Sequence, residues 1–85
     1  MLLITHKQGN GKRLAFLIGN KIYDCHHVHP ALPETGEAFV AQWEKYKSLA
    51  LLMHNAIQTN TIKVALKHVE IGSAEDVQAL QWPGM

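Results

Sequence analysis

The chain contains a single cysteine, Cys25, so no intrachain disulfide can staple its fold. It has no apolar run of transmembrane length, and its N-terminus shows no continuous hydrophobic region with a small-residue cleavage site. A soluble protein of a reducing compartment, the cytoplasm, is therefore expected. The net charge is only +1, which gives no general reason to expect nucleic acid or membrane as partner. Internal repeats, linkers and low-complexity tracts are missing as well. With 85 residues and 47% hydrophobic content, the chain is one domain, 1–85, with material for one core.

What is present is patterned. Leu2 to His6 alternates Leu2, Ile4 and His6 against Leu3, Thr5 and Lys7, as a strand does. Gly9-Asn10-Gly11 follows, with Asn10-Gly11 read as the tight turn. Leu14, Phe16 and Ile18 then face one way and Ala15 and Leu17 the other, which predicts a central strand apolar on both sides. Gly19-Asn20 turns the chain into a short edge strand around Ile22 and Tyr23. The first 24 residues thus read as an antiparallel meander. Lys7, Lys12, Arg13 and Lys21 all fall within it, and are read as charge that protects strand edges.

Cys25 to Pro33 carries three histidines and two prolines without periodicity and is expected as a loop. Thr35 then caps a helix whose apolar stripe runs Phe39, Trp43, Tyr46, Ala50, Met53 and Ile57, widened by Leu49, Leu52 and Ala56. At about 1.5 Å per residue it would extend roughly 30 Å and cover the meander. Ile62 to Val69 fits either a helical face or a strand alternation; Asn60 as a cap, with Ala65, Leu66 and Lys67, tips it towards a short second helix. Val77 to Trp82 returns as a last strand before Pro83-Gly84. The expected fold is α+β: a small, mostly antiparallel sheet packed on one long amphipathic helix.

Chemistry-bearing clusters are few. In an extended segment Cys25, His27 and His29 would point one way and present three metal ligands, with His6 or a carboxylate as a fourth; the spacing matches no standard zinc module, and a polar surface loop is the simpler reading. Cys25 and His26 are neighbours on such a segment, so their side chains diverge and make a poor nucleophile–base pair. His6 reads as a half-buried packing residue, and His54 and His68 as helix C-terminal residues suited to the dipole. Gly9-Asn10-Gly11-Lys12 lacks the spacing of a phosphate loop. Neither catalytic nor cofactor-binding residues can be assigned.

Two segments carry a resemblance. Lys12-Arg13-Leu14-Ala15-Phe16-Leu17-Ile18-Gly19-Asn20-Lys21-Ile22-Tyr23-Asp24 resembles the opening of fumarylacetoacetate hydrolase family proteins. Glu75-Asp76-Val77-Gln78-Ala79-Leu80-Gln81-Trp82-Pro83 is similar to the segment that closes their N-terminal domain. Ala15 departs from the glycine common there, Cys25 from the usual aliphatic, and the His-rich loop has no counterpart. The resemblance implies a non-catalytic accessory N-terminal domain of a hydrolase or decarboxylase. The family's magnesium or manganese, with its carboxylates and catalytic histidine, belongs to a downstream catalytic domain, on the same or a neighbouring polypeptide. An apolar patch including Trp82 would then be exposed for that domain. The alternatives are a stand-alone β-grasp-like interaction module and a small metal-binding protein built on Cys25, His27 and His29; a second copy of the chain, in a homodimer, is a further expected partner.

Overall fold

The computed structural model describes residues 2–61 and 67–84. The meander forms as β1 (Leu3–Gln8), β2 (Gly11–Ile18) and β3 (Lys21–Asp24). Its first turn is Gly9-Asn10 rather than Asn10-Gly11, because Gln8 pairs with Gly11. Gly9 takes φ 62° and Gly19, in the second turn, φ 64°. A two-residue turn with positive φ at its first central position needs glycine there, and both hairpins use the same solution.

Two further strands complete one five-stranded sheet: β4 (Val69–Glu70) and β5 (Glu75–Ala79), in the order β4-β3-β2-β1-β5, with every pairing antiparallel. β2 is central, as its two apolar faces require. β3 is not the edge its short polar sequence suggests, since Ile22 pairs with Val69 and Lys21 with Glu70. The last strand begins at Glu75 and stops at Ala79, although the Leu80 N–H still donates to the Leu3 carbonyl at 2.9 Å.

Strand alternation splits the buried residues into two sets. On one face Leu3, Leu14 and Phe16 pack with Cys25, Leu32, Phe39, Ala50 and Trp82. On the other, Ile4, Ala15 and Ile22 pack with Leu17, Ala74 and Val77.

The helical layer on the first face is broken where one long helix was expected. The Cys25–Pro33 region is no open loop throughout: it opens on a single helical turn, α1 (Cys25–Val28), capped by the Asp24 carboxylate, which accepts from the His27 N–H. α2 (Gly36–Ala41) starts at the expected cap, with Thr35 Oγ1 accepting from the Ala38 N–H at 3.2 Å. Gln42, at φ −136° and ψ 43°, ends it, and α3 (Trp43–Gln58) continues. The break lets each half meet its own part of the core. Phe39 lies wholly buried between Tyr46, at 6.1 Å between ring centroids, and Trp82, at 5.2 Å. The stripe survives, with Trp43, Tyr46, Leu49, Met53 and Ile57 resting on the core from α3, but Leu52, expected to widen it, lies on the exposed side of the helix. The expected second helix over 62–69 lies mostly outside the described residues; its last residue, Val69, is in β4.

Trp82 is not part of an exposed patch. It is 8% exposed and packs between Phe39 and Trp43. The large apolar side chains most open to solvent are instead Leu52, at 61%, and Leu51, both on α3.

Gly36 sets how closely α2 approaches the sheet. A Cβ there would sit 2.9 Å from both Thr5 Cγ2 and Leu80 Cδ1. The leucine end can rotate away, but the β-branched Thr5 is stiff at χ1 and cannot. Gly36→Ala is therefore expected to lower the unfolding free energy by about 1–3 kcal/mol, read as a lower urea midpoint at unchanged slope. An unchanged midpoint would show that α2 is not seated by this contact.

Candidate functional site

The polar site lies on the face of the sheet opposite α2 and α3. β1 contributes His6 and Gln8, β2 contributes Arg13, and β3 contributes Asp24; the registers that pair His6 with Arg13 and Ala15 with Asp24 bring them together. They line a cleft of about 580 Å³, with Ile22 and Val69 as apolar lining and His27, Lys67 and His68 around them.

Its centre is a two-pronged ion pair. Arg13 Nε donates to Asp24 Oδ2 at 2.8 Å and Nη2 to Oδ1 at 3.1 Å. Nη1 lies 3.3 Å from Glu34, whose other oxygen is 3.7 Å from His26 Nε2. The Glu34 carbonyl also accepts the Leu14 N–H at 2.8 Å. His26 is held further by Nδ1, 2.9 Å from the Leu32 carbonyl. One arginine thus joins β2, the end of β3, α1 and the loop before α2.

The electrostatics follow from these contacts. Burial alone would raise the Asp24 carboxyl, but the Arg13 guanidinium and the His27 amide outweigh it and hold it below its usual value. Asp24 raises the Arg13 guanidinium in return, chiefly by hydrogen bonding. His6, only 3% exposed, has no partner for Nε2 among the described residues; burial lowers its pKa, against the pull of Asp24 and with the push of Arg13. Burial pushes the Cys25 thiol well above its ordinary value.

Chemically, this arrangement is conservative. Two carboxylates occupy the guanidinium, so it is not poised to bind a substrate anion. Asp24 is spent on Arg13 and on capping α1. A neutral, buried thiol is neither a nucleophile nor a ready metal ligand.

The structure separates the three ligands that alternation would have aligned. In a helical turn residues two apart point roughly 200° apart, so Cys25 enters the helix-side core while His27 faces the opposite cleft. The His29 ring is fixed locally, with Nδ1 accepting from the Ala31 N–H at 3.0 Å. His6 shares the cleft with His27 but is itself buried. Among the described residues, no group of three or more His, Cys, Asp or Glu side chains is placed to hold a metal ion.

Two other histidines fill roles unlike those expected. His54 stands a turn before the end of α3, its ring edge-on to Phe16 at 5.9 Å, and burial lowers its pKa. It is a packing residue, not a charged cap. His68 lies 5.7 Å from the Tyr23 ring centroid and 3.3 Å from Glu70. The Arg13–Asp24 pair is the feature that sequence reasoning missed. Its signal was available: a two-residue turn at Gly19-Asn20 pairs Ile18 with Lys21 and so sets Asp24 diagonally beside Arg13.

Comparison with protein-family models, curated proteins and solved structures finds no match. No helix among the described residues is long and apolar enough to cross a membrane.

The pKa directions set a pH profile. His6 and His54 are held below their ordinary value when folded, so below about pH 6.5 the unfolded chain binds protons that the native state does not, and stability falls. Asp24 is also depressed, so its stabilisation is present above about pH 4 and is lost as acid protonates it in the fold. The urea midpoint should fall in two stages on acidification. His6→Leu should shrink the first fall and leave the second; a profile of unchanged shape would remove His6 from this account.

Proposed function

We propose that this chain is a non-catalytic accessory domain of the kind that opens fumarylacetoacetate hydrolase family enzymes, packing on a catalytic domain of the same or a neighbouring polypeptide. The observation that carries this reading is the placement of the two segments that resemble the family. The opening meander and the closing Glu75-to-Pro83 segment lie side by side in one sheet, β5 pairing along β1, and Trp82 enters the same core as Phe16. A closing segment that belonged to another structural unit would have no reason to complete this one.

The ionisable residues support the same division of labour. Magnesium and manganese take several oxygen ligands in regular geometry. Asp24 and Glu34 are drawn to Arg13 instead, and no group of three or more His, Cys, Asp or Glu side chains among the described residues is placed to hold a metal ion. On this reading the metal and the chemistry it supplies belong to the catalytic domain, and this chain contributes shape and contact. Leu51 and Leu52, open on the outer side of α3, offer apolar surface for that contact.

The purified chain, supplied with magnesium or manganese, is expected to turn over neither an acylpyruvate nor oxaloacetate faster than the metal alone. Clear turnover that survives repurification would overturn the reading.

A further inference from the structure

Strand β5 pairs with β1 along one side, and no described strand lies on its other side. The Leu80 N–H points inward to the Leu3 carbonyl. Backbone groups alternate along a strand, so the Ala79 amide and the carbonyls of Val77 and Ala79 point outward, to the open side. Next to this edge, on the helix side of the sheet, is a cleft of about 800 Å³ lined by Val40 and Ala41 of α2 and by Thr5, Gln78 and Leu80. Lys12 and Glu37 also line it and offset each other in charge. A mainly apolar hollow beside a row of outward backbone groups suits an extended peptide. The peptide's backbone continues the sheet, and its alternate side chains enter the hollow.

Charge specifies which peptide. Glu75 and Asp76 stand exposed at the start of β5, and Glu75 reaches Lys7 only at 3.9 Å. Asp76 takes φ 53°, and the β1–β5 register shifts between Thr5 and Lys7, so this end of the strand is bulged. A bulge and two carboxylates discourage indiscriminate strand addition. They leave Val77 to Leu80 open to a segment that brings positive charge to the acidic end.

We infer that the β5 edge and the adjoining α2 cleft form a docking site for an extended aliphatic segment of another protein, carrying basic residues where it meets Glu75 and Asp76. The site does not depend on the accessory-domain reading, and any chain with such a segment can occupy it.

The test uses the whole isotope-labelled chain and a blocked peptide of alternating valine and threonine that ends in two lysines. Saturable amide shifts are expected at Val77 to Leu80 and at Val40 and Ala41. A matched peptide ending in two glutamates should bind about three- to tenfold more weakly, the scale of two exposed ion pairs. The double variant Glu75→Gln, Asp76→Asn should abolish that preference; asparagine tolerates the positive φ at position 76. Ala79→Pro, which removes an outward N–H at an edge where proline is tolerated, should abolish binding with the near-ultraviolet dichroism unchanged. The proposal fails if the lysine peptide gives no saturable shift, if shifts gather at Leu51 and Leu52 or at β4, if both peptides bind equally, or if β5 proves to pair with a second copy that the peptide does not displace. Turnover by the chain would leave these outcomes untouched, so the two readings can fail separately.

Discussion

Leu14, Ala15 and Phe16 follow one another in β2, and none is accessible to solvent. Consecutive residues of a strand face opposite ways, so this triplet demands that both faces of the sheet be covered. A chain of this size has helices enough for one face. α2 and α3 supply that layer, with Phe39 and Trp82 filling the space over Phe16. The second face has no helix among the described residues and is closed by Leu17, Ala74 and Val77 around Ile4, Ala15 and Ile22. The Arg13–Asp24 pair continues that cover where the apolar residues run out.

This pair costs desolvation on both sides, and a buried ion pair is weak testimony for stability by itself. Arg13 and Asp24 are only partly buried, however, and Asp24 accepts three hydrogen bonds, two from Arg13 and one from the His27 amide. Its larger consequence is order. A one-residue slip of β3 would carry Asp24 to the other face, away from Arg13 and away from the N-terminus of α1. The same contact thus holds strand register, helix start and, through Glu34, the path into α2. The Nε2 of His6, without a partner among the described residues, is the cost of packing a histidine beside it in a small core.

The features legible in the sequence are those decided by residues close together. The Gly19-Asn20 turn, the two-faced strand, the Thr35 cap and most of the stripe along α3 each depend on one local pattern, and each formed. Most misreadings involve distant partners, and the exceptions are a local cap and a turn displaced by one residue. β3 looks like an edge until Val69 and Glu70 come to pair with it. Cys25, His27 and His29 look aligned until Asp24 caps a helical turn beneath them. The helix looks continuous until the pull of Phe39 towards Trp82 favours a break at Gln42, a residue with no turn propensity to announce it. The Arg13–Asp24 pair is intermediate, because it follows from turn geometry once the register is worked through.

An accounting of the polar groups bears on what kind of function this fold can support. Arg13, Asp24, Glu34 and His26 are bound to one another, His6 and His54 are packed as neutral rings, and Cys25 is held as a thiol in the core. An active site needs the opposite condition, with ionisable groups held near their working protonation state and left open to a reactant. Here these side chains help to cover the sheet face opposite α2 and α3. Open beside them, among the described residues, are the outer edge of β5 and the aliphatic side chains of Leu51 and Leu52 on α3. Groups of these kinds are the ones by which polypeptides recognise one another, which is the physical ground on which the proposed contacts rest.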